Sequence, residues 1–162
     1  MIEATLKVAV IVVLLLIFWQ DTKDRLVTWF LYPLAGILAY AINAQNAGPV
    51  PALANALVSL FLIAFVIAIS YFYAVTVAKK KFLNESIGSG DLLFFACLPC
   101  TFATVSFIVL FVFGLVSSLA LHLCLHRQQA DATVPLAGYM ALFFAVVYVI
   151  SFFTEPKYLF SL

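Results

Sequence analysis

The chain has 162 residues, of which 67% are hydrophobic and 16% aromatic, and its mean hydropathy is +1.21. Only 9% are charged, against roughly 25% in soluble domains, so there is too little polar surface to cover a globule in water, and both a soluble domain and a disordered chain are excluded. A net charge of +1 offers no field to attract phosphate, which excludes nucleic acid as a partner and leaves the lipid bilayer as the solvent of one integral-membrane domain over residues 1–162.

A helix needs about 20 residues to cross a hydrocarbon core of roughly 30 Å. The first apolar run, 4–19, is interrupted only by Thr5 and Lys7. It lacks a basic leading region and a small-residue cleavage site, so it is expected to stay as the first membrane helix rather than be removed as a secretory signal. A short charged break precedes the second run, 26–42, and the uncharged, turn-rich connector NAQNAGPVP over 43–51 leads to the third, 52–78, long enough to span with tilt. The run 92–125 is too long for one comfortable crossing. Pro99, Cys100 and Thr101 supply a break that divides it into helices near 91–101 and 103–125. A last span covers 134–153, for an expected all-α bundle of about six transmembrane helices. Stretches of alternating apolar and polar residues, the mark of a membrane barrel, do not occur. Backbone amides in hydrocarbon must be paired internally, which such uninterrupted apolar runs achieve as helices. No internal repeat, low-complexity tract or interdomain linker is present.

Basic residues in short loops set orientation. Lys23 and Arg25 lie between the first and second helices, Lys79, Lys80 and Lys81 between the third and fourth, and Arg127 between the fifth and sixth, while Lys7 and Lys157 fall on the opposite side. Loops 1, 3 and 5 are therefore expected in the cytoplasm and both termini outside. Trp19 and Trp29 bracket loop 1, at the depth where indole rings meet lipid headgroups. The triple lysine reads as a topology determinant and headgroup anchor rather than a substrate dock.

Acidic residues number seven. Glu3 and Glu155 sit near the termini, and Asp21, Asp24, Glu85, Asp91 and Asp131 at or beside the cytoplasmic loops. Asp21 closes the first apolar run (LLLIFWQD) and Asp91 opens the fourth (GSGDLLFFA), which puts both carboxyls at one end of the bundle, where they can meet. Each alone has a structural reading: Asp91 as an N-cap of the fourth helix, Asp21 as a solvated charge at a helix end. Their shared depth favours function, because a carboxylate near hydrocarbon is costly. Gly88 and Gly90 before Asp91 allow close approach of another backbone and torsion angles that other residues resist, so an extended peptide could lie beside this carboxyl.

In these segments the chain resembles the type IV prepilin peptidases, membrane aspartic proteases that share a G-x-G-D motif with presenilin-like enzymes. The resemblance covers most of the chain. QDTKDRLVTWFLYPLAG is similar to the family's first aspartate, basic stretch and following apolar helix, and selects Asp21; Gly88, Gly90 and Asp91 match the G-x-G-D; Val134-Pro135-Leu136-Ala137-Gly138 looks like the family's late proline-containing segment. The chain departs from the family at Leu26-Val27-Thr28, where members often carry Ile-Pro-Asn, and at Leu93, where they often carry lysine, and both differences bear on substrate preference. The resemblance implies an endopeptidase that uses no cofactor and removes the basic leader of a prepilin or pseudopilin-like precursor at the cytoplasmic face. Loop 1 is too short for the paired cysteines and methyltransferase activity of bifunctional members, so no N-methylation is expected. The implied chemistry is that of a carboxyl pair sharing one proton, one group activating water and the other protonating the scissile carbonyl and the leaving amine.

Asp24 follows Asp21 by three residues and would share its face if the helix continued, so spacing does not separate the two; only the family pattern selects Asp21. Cys97-Leu98-Pro99-Cys100 has C-x-x-C spacing but no second pair, and His122, Cys124 and His126 lack a further ligand, so no metal and no disulfide are expected. Asn84-Glu85-Ser86 matches a glycosylation acceptor on the cytoplasmic side, where it would be unused. Two other function classes fit the composition: a small proton-coupled carrier, which would hold charge near the midplane in repeated, interrupted helices, and a catalytically silent assembly subunit.

Overall fold

The computed structural model describes residues 2–76, 88–125 and 135–160, all statements below being about these; Lys79–Lys81, Glu85, the acceptor Asn84-Glu85-Ser86, His126, Arg127, Asp131 and Val134 lie outside them. The described chain is helical, without strands. Three helices are long and apolar enough to cross a membrane: α1 (Ile2–Lys23), α3 (Pro49–Thr76) and α5 (Thr104–Leu125). Shorter apolar helices α2 (Leu31–Ala47), α4 (Ser89–Cys97) and α6 (Leu136–Ile150) pack among them, and a final turn, α7 (Lys157–Phe160), closes against the core.

Local chemistry explains the boundaries. α1 stops where Arg25 enters the left-handed region (φ 55°), and the connector is tied back by the Thr28 amide donating to Gln20 Oε1 at 2.9 Å. For that reason α2 begins at Leu31, later than the apolar run alone suggests. The connector expected over 43–51 shrinks to one residue. α2 continues to Ala47, where the Asn46 side chain donates to Ile42 O at 2.9 Å, and the chain turns on Gly48, whose φ of 91° suits glycine. Pro49 then opens α3, where its missing amide hydrogen costs nothing.

The break at Pro99 is a single 3₁₀ turn, Leu98–Cys100, followed by three irregular residues inside the bundle. Non-helical backbone is tolerated at membrane depth when protein buries it and satisfies its polar groups. Here Thr101 Oγ1 donates to Leu98 O at 2.7 Å, and the Ala103 amide donates to Leu159 O of α7 at 3.0 Å. Phe102, fully buried, sits against Phe144, Tyr148 and Phe160 with ring centroids 5.2–6.3 Å away.

Two sets of contacts fix the helix directions. At one end the last turn of α1 meets the starts of α2, α4 and α6. At the other, Glu3 and Lys7 of α1 meet Asn46 of α2 and Ser151 after α6. α2 and α6 therefore both run antiparallel to α1. The core between them is apolar, built on Val10, Leu14, Ile17, Ala39, Phe94, Met140, Ala141 and Phe144. Outward faces carry Phe61, Phe65, Phe72, Phe113 and Leu119, each more than half exposed, a surface that suits lipid.

Candidate active site

The site is assembled at the start of α6. Pro135 precedes this helix, and Tyr139 bonds back to Pro135 O at 3.1 Å. The first amides of any α-helix have no acceptor within it, and they carry the positive end of its dipole. Two of them are taken by carboxylates from elsewhere in the chain: the Ala137 amide donates to Asp91 Oδ1 at 2.9 Å, and the Gly138 amide donates to Asp21 Oδ2 at 2.6 Å. Asp21 arrives on the last turn of α1 and Asp91 on the first turn of α4. Gripping the amides of neighbouring residues brings the two carboxyl groups to one helix end, where the charge of Asp21 acts on Asp91. The two sequence candidates therefore come together, half-buried, while Asp24 remains exposed on the connector.

The glycines of the site serve close approach. A methyl group at Gly138 would stand 2.9 Å from both Cβ and Oδ2 of Asp21, so α1 and α6 touch here only because that side chain is absent. Gly88, the N-cap of α4, also donates its amide to Asp91, and a methyl group there would lie 3.1 Å from Asp91 Oδ2. Its φ of −68° is open to any residue, and Gly48 holds the one positive-φ glycine among the described residues. The G-x-G-D glycines thus supply space, and the unusual torsion angles expected of them are not used.

Three contributors to the site went unread in the sequence. The backbone donors of Ala137 and Gly138 have no side-chain signature. Arg25, held in its left-handed conformation, places its charge within reach of both carboxyls. Tyr32, in the first turn of α2, is 2% exposed, with its ring tilted against Phe94 at 5.9 Å and its hydroxyl directed at Gly90, where a methyl group would lie 2.8 Å away. That hydroxyl is also within electrostatic range of Asp21 and Asp91. A tyrosine entering an otherwise apolar helix near the aspartate end was the available signal, because a phenol so placed needs polar company.

Among the described residues, the remaining candidates do not form a second centre. Cys97, Cys100 and Cys124 are free thiols, and Cys97 packs its Cβ where a methyl group on Gly36 would come within 3.2 Å, a close contact of α4 with α2. Among the described residues no three metal-ligating side chains cluster. No family model, no curated protein and no solved structure matches the chain.

Proposed function

We propose that the chain is a membrane aspartic endopeptidase of the prepilin peptidase type, with Asp21 and Asp91 as its catalytic pair. The observation that carries the reading is the seating of these two carboxyls, from helices far apart in sequence, on the adjacent amides of Ala137 and Gly138. Two carboxyls seated on adjacent amides, with the charge of Asp21 acting on Asp91, favour a state with one shared proton. The ionised member takes a proton from water as the water oxygen adds to the scissile carbonyl carbon. The carbonyl electron pair moves onto its oxygen, which receives the proton of the other member, giving a neutral diol. Return of one diol proton to a carboxylate, and transfer of a proton to the amide nitrogen, then breaks the C–N bond and restores the pair. Half-burial at a helix end supplies both the water and the low-polarity surroundings that this exchange needs.

In this reading the chain crosses the cytoplasmic membrane of a prokaryote six times, the fourth crossing made by α4 together with the 3₁₀ turn and irregular residues that follow it. The site faces the cytoplasm and both termini face outward. The substrate is the precursor of a pilin or pseudopilin-like protein whose basic leader meets the site, and no methyl transfer accompanies cleavage.

A second reading is supported by the same hydrogen bonds: the two aspartates would be caps for α6 in a non-catalytic assembly subunit. Purified protein in detergent, incubated with a leader-bearing prepilin and read by product mass, separates the two. Release of the intact leader supports the peptidase, and an uncut precursor supports the silent subunit.

A further inference from the structure

We propose that Tyr32 is a third catalytic group, its phenol donating a hydrogen bond to the oxygen of the scissile carbonyl as that oxygen gains charge. The inference rests on the peptidase reading and deepens it.

Both carboxyls already accept backbone amides of α6, and Asp91 accepts that of Gly88 as well, so the pair is oriented without help from a side chain. Tyr32 is therefore not needed to hold them. Its ring is fixed by burial and by Phe94, and its hydroxyl is delivered to Gly90, immediately before Asp91 in the chain. A helix-favouring alanine at position 90 would press on that oxygen at 2.8 Å, so the glycine there makes room for the phenol. A rigid donor beside a half-buried acid pair acts where charge develops on the substrate oxygen and needs no reorganisation at the moment of reaction. The step adds no atoms to the balance: the phenol keeps its proton, and the carboxyl pair still exchanges the protons.

Two measurements test it on the full chain in detergent. In the first, Tyr32→Phe retains the ring and its contact with Phe94, and kcat for leader cleavage is expected to fall about 10²-fold, the effect of losing one such donor. KM and melting temperature stay near those of the wild type. An unchanged kcat, or a loss explained by a lowered melting temperature, overturns the role. In the second, Gly90→Ala is expected to lower the melting temperature, and addition of Tyr32→Phe to restore it, because removing the oxygen removes the clash. Equal stability of Gly90→Ala with and without the hydroxyl overturns the placement. Wild-type protein that cuts no leader-bearing precursor overturns the peptidase reading and this role together, whereas wild-type cleavage with a fully active Tyr32→Phe variant overturns this role alone.

Discussion

Asp21 and Asp91 each combine two properties that pull against one another: half-burial, which disfavours charge, and backbone donors at a helix N-terminus, which favour it. A group placed between such influences exchanges a proton readily, and the proposed cycle needs the pair to hold one proton between them. Cleavage is therefore expected to have a bell-shaped dependence of kcat/KM on pH. At low pH both members carry protons and none can take one from water. At high pH neither carries one and none can be given to the carbonyl oxygen. Initial rates across pH in a constant-ionic-strength buffer check this, and a monotonic profile would speak against a carboxyl pair. The two aspartates were legible in the sequence because a carboxyl at the edge of an apolar run is rare, and because G-x-G-D and QDTKDR frame them. Asp24 shows where spacing ran out: its amide still bonds back to Gln20 O at 3.0 Å at the end of α1, yet its side chain is exposed while Asp21 reaches the Gly138 amide.

Among the elements, α6 organises the site. Its first turn supplies the amides, and Gly138 lets α1 come close enough for Asp21 to reach them. Gly138→Ala favours the helix by propensity, yet it forces Asp21 aside, since the added carbon would sit 2.9 Å from Asp21 Cβ and Oδ2. Displacing a reacting group by about 1 Å can cost roughly 10²-fold in rate. A loss of that order in kcat, with helix content by circular dichroism unchanged, is the expected outcome; wild-type kcat in this variant would mean that the carboxyl position is unimportant. The Pro135-Leu136-Ala137-Gly138 segment was legible only as a likeness to a family pattern. Its actual contribution, two unpaired N–H groups, belongs to the backbone of every helix start and leaves no trace in residue identity. The division near Pro99 could be read directly, because a proline deep within a long apolar run removes an interior helical hydrogen bond and clashes with the preceding turn, unlike Pro33, Pro49 and Pro51 in the first turns of α2 and α3. By contrast, the reduction of the 43–51 connector to Gly48 goes with the Asn46 side chain bonding back to Ile42 O within α2 and across to Glu3 of α1, which a turn-rich composition conceals.

On the scale of the molecule, the two ends of the bundle have different tasks. Opposite the carboxyl pair, and about 21 Å along α1 by helical rise, Lys7 is buried, with its ammonium 2.9 Å from Glu3 and 3.1 Å from Ser151 O and lying over the Phe152 ring. Glu3 in turn accepts from Asn46 at 3.4 Å, so one cation ties α1 to the ends of α2 and α6. Charge counting placed Lys7 on the side away from the aspartates, but a lone lysine in an apolar run gives no hint that it packs inward. Lys7→Met keeps the stem and removes the donor; a loss of about 1–3 kcal/mol is expected from hydrogen bonds to a charged group. Thermal unfolding in detergent should show the loss while kcat for cleavage stays at the wild-type value, because the substitution lies at the far end from the site. A parallel fall in kcat would show that the ends are coupled.

The pairing of Asp21 with Asp91 is tested most directly by single-turnover cleavage of a leader-bearing prepilin by four purified proteins: wild type, Asp21→Asn, Asp91→Asn and Asp24→Asn. Asparagine caps a helix about as well as aspartate, so melting temperatures should stay close and any difference in rate reports chemistry. The expected result is full activity in the wild type and Asp24→Asn, and a loss of about 10³-fold or more in each of the other two. Cleavage at the wild-type rate by Asp21→Asn or Asp91→Asn would contradict the assignment.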